Sequence, residues 1–318
     1  MDPSGTGETE APARLTRRHV LAWAFGSAAA VAAAGALGTE LVWRGVLPGH
    51  QLLLEFEGAC GVPATTPVFS GLGPAFSGRF FSRARRRTVG YTIAYPPGHG
   101  PGSDLPLVVA LHGFGANHSD VLSGMSLAQA LALRVDGAPL PPMALVAADG
   151  GGGYWHAHRG DDPMGMVVDE VIPMCQERGL GRAPRPIGVM GVSMGGYGAL
   201  LMAEKHPQLF AAVAAISPAV WTTYAEARGA NAGAYASAAD FAANDAVTHA
   251  PALGQIPVRV ASGLSDPFHD GVVALAKVLP SGSVVDLSPG CHTGPFFEAQ
   301  EPSSFSFLGH HLARSGTS

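Results

Sequence analysis

Residues 187–200, IGVMGVSMGGYGAL, decide the fold. The first five are a short apolar run, which predicts a strand buried on both faces. Residues 195–206 predict a helix. Between the two stands Gly191-Val192-Ser193-Met194-Gly195, a G-x-S-x-G motif. A serine between strand and helix on such a motif is a nucleophile elbow. The turn is so tight that the glycines two places either side must lack side chains. The N–H groups that open the helix favour negative charge at the turn. Ser193 is therefore the candidate nucleophile. The Met194 N–H is a candidate oxyanion donor.

Strands and helices alternate on both sides of this elbow. Apolar runs predict strands at 105–111, 143–148, 210–216, 258–262 and 283–287. Helical spacing marks 119–134, 163–178, 270–279 and 303–314. Two β-rich runs, 79–82 and 88–95, come first, and Pro96-Pro97 ends the second. The pattern implies an α/β domain: a mostly parallel sheet with helices on both faces. Ligands bind such sheets at the carboxyl ends of the strands. Residues 75–318 are assigned to this catalytic domain. Residues 39–74, with Pro48, Pro63 and Pro67, read as a linker or N-terminal wrap. Residues 219–256 are Ala-rich and carry Trp221, Tyr224, Tyr235 and Phe241. They read either as a small helical lid or as a pair of surface helices.

A serine hydroxyl needs a base, and the base needs an acid that orients it. On this fold the chain order is Ser, acid, His. Asp266, in Gly263-Leu264-Ser265-Asp266-Pro267, follows a strand and is the candidate acid. Asp270 is second, with a helix cap as its simpler role. His292, in Cys291-His292-Thr293-Gly294, follows the last strand and is the candidate base, with His269 in reserve. His112-Gly113-Phe114-Gly115 follows the strand at 105–111. Its glycines let backbone approach a substrate oxygen, with the Phe114 N–H as second oxyanion donor. His112, Gly113, Tyr154 and Trp155 are expected to line the substrate site. His156 and His158 with Asp161 and Asp162 invite a metal reading. The H-x-H-x-D-H spacing of metallohydrolases would need Asp where Gly160 stands, so no metal is expected.

Composition narrows the function classes. Net charge is −5, and of 19 basic residues only Lys205 and Lys277 are lysines. Neither lysine sits in a phosphate loop, which excludes classical P-loop chemistry. No face is basic enough to track nucleic acid. The one basic cluster, Arg83, Arg85, Arg86 and Arg87, reads as a solvated strand edge or hairpin. Cys60, Cys175 and Cys291 allow at most one disulfide within the chain. Cys291 beside His292 reads as a packed loop residue more readily than as a reactive thiol.

Residues 1–38 form an export signal or membrane anchor. Arg17-Arg18 precede the uncharged run 20–38, VLAWAFGSAAAVAAAGALG. A positive flank before an apolar stretch is signal-peptide architecture. The paired arginines resemble a twin-arginine translocation signal, with Val20 and Ala22 in place of the usual Phe and Lys. As a helix, the run would reach about 28 Å, close to the bilayer core. Membrane association through 20–38 and an envelope or extracellular location are therefore expected.

With these residues in hand, the chain resembles the esterase D-like branch of the α/β-hydrolase superfamily. That branch includes S-formylglutathione hydrolases and actinobacterial mycolyltransferases. LHGFG at 111–115, GVSMGGYGAL at 191–200, GLSDPF at 263–268 and CHTGPFF at 291–297 carry the resemblance. DDPMGMVVDEVIP at 161–173 fits the helix before the elbow strand. The resemblance implies a triad of Ser193, Asp266 and His292, with Phe114 and Met194 as oxyanion donors. Relatives often carry Trp shortly after the catalytic His, where this chain has Gly294-Pro295-Phe296-Phe297. The expected function is an exported serine carboxylesterase acting on a small-molecule or lipid ester without a cofactor. The alternative is an acyltransferase, like the mycolyltransferases, that passes the acyl group to a sugar or lipid alcohol. A non-catalytic envelope protein is the third reading.

Overall fold

The computed structural model describes residues 60–61, 71–121, 127–135, 137–184 and 186–315. Residues 1–38, and with them the expected signal and its span 20–38, lie outside the described residues, as does most of 39–74. Residues 57–318 form one compact unit.

Eight strands make one sheet: β1 (Ala75–Ser82), β2 (Arg87–Ala94), β3 (Leu107–Leu111), β4 (Ala144–Ala148), β5 (Ile187–Val192), β6 (Ala212–Ile216), β7 (Val258–Gly263) and β8 (Val284–Ser288). Their order is β1-β2-β4-β3-β5-β6-β7-β8. The β1–β2 and β2–β4 pairs are antiparallel, and the rest are parallel. The parallel strands lie close to where the apolar runs predict them. β3 through β7 are buried along their whole lengths.

Period-two alternation divides the core between the two faces. Leu107, Val109 and Leu111 join one cluster, while Val108 and Ala110 join the other. The first face takes α1 (Pro163–Met166), α2 (Ile172–Glu177) and α3 (Met194–Lys205). Between α1 and α2, Val167–Val171 form a π-helical turn. Pro173 follows closely and supplies no N–H to the Asp169 carbonyl. Segment 219–256 folds into α4 (Tyr224–Ala230), α5 (Ala238–Ala243) and α6 (Ala246–His249). Its Trp221, Tyr235 and Phe241 are buried in the same cluster. After β7 comes α7 (His269–Ala276).

The second face is covered by α8 (Gly294–Ser315) and a helical turn at Leu127–Ala130. α8 begins well before the expected 303. Pro302 sits inside the helix. The lost backbone bond is outweighed by burial of Phe296, Phe305, Leu308 and Leu312 along the helix.

A buried carboxyl group in α3 works against stability. Glu204 in α3 is buried, and neither carboxylate oxygen has a hydrogen-bond partner among the described residues. Burial raises its pKa to about 9. The folded chain thus holds a proton that the unfolded chain releases above about pH 4.3. Stability from this group falls as pH rises from there through about 9. Glu204→Met removes the penalty and fits a similar volume. It is expected to add about 1–3 kcal/mol at pH 8 and to flatten the alkaline limb. Thermal melts of both proteins from pH 5 to 9 check this.

Candidate active site

Ser193 stands between β5 and α3 with φ 57° and ψ −120°. Non-glycine residues rarely hold a positive φ, so the conformation is strained and must be enforced by its surroundings. The Ser193 N–H donates to the Ile216 carbonyl at 2.9 Å, pinning the elbow to β6. A Cβ on Gly191 would lie 2.2 Å from the Gly195 carbonyl oxygen. One on Gly195 would lie 1.9 Å from that of Leu111. Both glycines of the motif are thus required by backbone packed on backbone.

Three side chains from three loops meet here. His292 Nε2 lies 2.8 Å from Ser193 Oγ, and His292 Nδ1 lies 2.9 Å from Asp266 Oδ2. A carboxylate only accepts, so Nδ1 carries the proton and Nε2 faces the serine hydroxyl as acceptor. Asp266 Oδ1 accepts the Phe268 N–H at 2.9 Å, so both carboxylate oxygens are held. Asp266 follows β7 and His292 follows β8, at the carboxyl ends of their strands. Asp270 falls in the first turn of α7, where it makes no side-chain cap bond. His269 opens that helix, its Nδ1 buried without a hydrogen-bond partner among the described residues. The rings of Phe268 and Phe297 lie 5.1 and 5.0 Å from the imidazole of His292, which makes the surroundings of the base apolar.

The 112–115 loop lies against the elbow. A Cβ on Gly113 would sit 3.7 Å from Ser193 Cβ, in ordinary contact. No described hydrogen bond takes the N–H of Phe114 or of Met194, the latter being one of the orphan donors that open a helix. Because Gly113 has room on the protein side, its bareness serves the space above Ser193. Gly113→Ala is expected to leave the melting temperature within about 2 °C. It should lower kcat/KM on ester substrates about tenfold or more by crowding the acyl carbon. Steady-state kinetics beside a thermal melt checks both halves.

Three residues expected to line the substrate site, His112, Tyr154 and Trp155, have buried side chains. His112 and Trp155 are fully buried. The Trp155 indole fills the space left by two glycines. Its ring atoms would meet a Cβ at Gly150 or Gly198 within 2.3 and 2.6 Å. Its Nε1–H donates to the His112 carbonyl at 3.1 Å. Tyr154 is also buried, packed among Tyr197, Trp221 and Tyr235. These side chains hold the site from beneath. Strand-end position alone made them look like pocket walls, and the glycines at 150 and 198 were the missed signal for an inserted ring.

His112 holds the oxyanion loop. Its Nε2 accepts the Gly150 N–H at 2.8 Å, so Nδ1 carries the proton and donates to the Gly113 carbonyl at 2.8 Å. Burial pushes its pKa down, opposed in part by the Gly113 bond, so the ring stays neutral.

The arginine cluster departs from a solvated hairpin at one position. Arg85 is buried and grips Asp161 with two bonds, at 2.7 and 2.9 Å. It also donates to the Asp149 carbonyl. The Asp149 carboxylate in turn accepts the N–H groups of Gly90 and His118, at 2.8 and 3.0 Å. Asp161, considered as a metal ligand, is thereby committed to arginine, which holds its carboxyl below the usual range against the effect of burial. Among the described residues, no group of His, Cys, Asp and Glu side chains is arranged to hold a metal. Nor is any described helix long and apolar enough to cross a membrane.

The sheet order and the elbow serine, with acid and histidine on later loops, define an α/β-hydrolase. Residues 82–280 match the family described as "Putative esterase", and the chain belongs to that esterase family. It is a serine ester hydrolase. Several solved structures share its fold. A ferulic acid esterase aligns with a TM-score of 0.65 at 16% identity, over 76% of this chain and 99% of its own. An S-formylglutathione hydrolase from Agrobacterium tumefaciens aligns at 0.59 and 17%, over 78% and 99%. The fluorophosphonate-binding serine hydrolase FphF of Staphylococcus aureus aligns at 0.60 and 16%, over 75% and 99%. Identities this low establish likeness of fold alone. No curated protein matches the sequence.

Proposed function

We propose that the protein is an exported carboxylesterase working through Ser193, His292 and Asp266. The observation that carries the reading is the unbroken hydrogen-bonded chain from Ser193 Oγ through His292 to Asp266. Ser193 Oγ attacks the ester carbonyl carbon while its proton passes to His292 Nε2. Asp266 holds the ring and stabilises the imidazolium. The Phe114 and Met194 N–H groups take the oxyanion. The intermediate collapses, the C–O bond to the alcohol breaks, and His292 gives the alcohol its proton. Water then repeats the sequence on the acyl-enzyme and releases the acid.

The apolar rings beside His292 and the exposed Phe114 support an uncharged acyl or alcohol group at the reacting centre. Export is supported by Arg17-Arg18 before an uncharged run and by the Cys60–Cys291 disulfide, a bond that persists in oxidising compartments. Association with the membrane through 20–38 belongs to the same proposal.

A panel of p-nitrophenyl esters of rising chain length, run with and without an added alcohol, tests the reading. Hydrolysis with little transfer to the alcohol is expected. Predominant transfer would identify an acyltransferase, and no turnover of any ester would overturn the assignment.

A further inference from the structure

The three triad residues are not equally well supported. Ser193 leaves β5 and Asp266 leaves β7, both buried end to end. His292 leaves β8, the last strand of the sheet, with Val284, Val285 and Leu287 exposed. The loop after β8 is tied to the acid loop by two backbone bonds. Leu264 N–H donates to the Ser288 carbonyl and Ser265 N–H to that of Gly290, each at 2.9 Å. Gly290 itself holds a φ of 154°. The base thus hangs from an edge strand in which no residue is buried, on a short, turning segment.

Beside it, Cys291 is fully buried and disulfide-bonded to Cys60, 231 residues earlier in the chain. Cys60 belongs to the segment that precedes β1. We propose that this disulfide is a positioning element for the catalytic base: it ties the residue next to His292 to a second, distant point of the chain. The proposal rests on His292 acting as the base. Misplacing a reacting group by about 1 Å can cost 10²-fold in rate. The clamp therefore acts on turnover as well as on stability. A dithiol that reduces the bond closes to its own cyclic disulfide, leaving Cys60 and Cys291 as two thiols. The activity of the esterase then follows the state of this bond.

The test compares the wild type with Cys60→Ala and with Cys175→Ala, whose buried free thiol takes no part in the bond. Each is assayed with a short p-nitrophenyl ester below its melting temperature, with circular dichroism confirming the fold. Cys60→Ala, and wild type treated with dithiol, are expected to lose about tenfold or more in kcat, with KM changed less than threefold. The pH profile of kcat/KM should shift on the limb that reports the base. Fluorophosphonate labelling should slow in step. Reoxidation of the wild type should restore the rate, and Cys175→Ala should respond to dithiol as wild type does. If Cys60→Ala is folded, melts lower, and keeps wild-type kcat and pH profile, the disulfide is a stability tether and the positioning role is wrong. If Cys60→Ala does not fold, reduction and reoxidation of the wild type decide alone. An oxidised wild type that neither turns over nor labels would instead sink the triad assignment itself.

Discussion

Ser193→Ala is expected to lower kcat/KM on p-nitrophenyl esters by roughly 10⁴–10⁶-fold while leaving the fold intact. Alanine keeps the Cβ, so the backbone strain at φ 57° is unchanged. Among the described residues the lost hydroxyl hydrogen-bonds to His292, whose ring keeps its bond to Asp266 at 2.9 Å. The residual rate would come from the oxyanion donors and from binding. Covalent labelling by a fluorophosphonate should vanish, because the labelled atom is Ser193 Oγ. Labelling that survives the substitution would mean that another residue is the nucleophile. His292→Ala should fall comparably in turnover, for a nucleophile without its base loses most of what the serine offers.

The strands and the three side chains were legible because each obeys a local rule. Apolar runs of five to seven residues mark strands covered on both faces, and β3 through β7 fit that rule. Gly191 and Gly195 advertise the elbow because backbone presses where their side chains would be. Asp266 and His292 could be chosen because active-site loops follow strand ends. Long-range choices were harder. The half-buried pairing of Arg85 with Asp161 joins residues 76 apart, and nothing near the arginine or the aspartate announces the partner. Cys291 read as a packed loop residue, and buried it is, but an odd count of three cysteines could not name Cys60 as its mate. The early start of α8 was not legible because a propensity rule describes a helix in isolation, whereas α8 is held by its buried face. Trp155 and His112 were misjudged for a similar reason. Position along a strand end gives the direction of a loop, but which of its side chains turn inward depends on space that other elements leave free.

His112 carries the second large effect, and it follows from the planarity of one peptide. In a trans peptide the C=O and N–H point in opposite directions. The bond from His112 Nδ1–H to the Gly113 carbonyl therefore sets where the Phe114 N–H points. Without the imidazole, the Gly113 carbonyl keeps only the longer bond from the Ala116 N–H, at 3.3 Å, so the Gly113–Phe114 peptide is held less firmly and one oxyanion donor is misaligned for part of the time. His112→Ala is expected to lower kcat about 10²–10³-fold, the range for deleting a single oxyanion donor. KM should change little, because the donor acts on charge that develops after binding. Stability also falls, since the Gly150 N–H and the Gly113 carbonyl lose their shared partner. The two effects separate by temperature: assays well below the lowered melting point should still show the kcat loss. The wild type should show the same dependence through pH. Burial depresses the His112 pKa, so the unfolded chain binds a proton below about pH 6.5 that the folded chain refuses. Stability from this ring is full above that pH and is lost as pH falls through the lower folded value. His112→Ala should remove that part of the acid sensitivity while remaining slow at every pH. Normal kcat in a folded His112→Ala protein would show that the Phe114 N–H is aimed by other contacts.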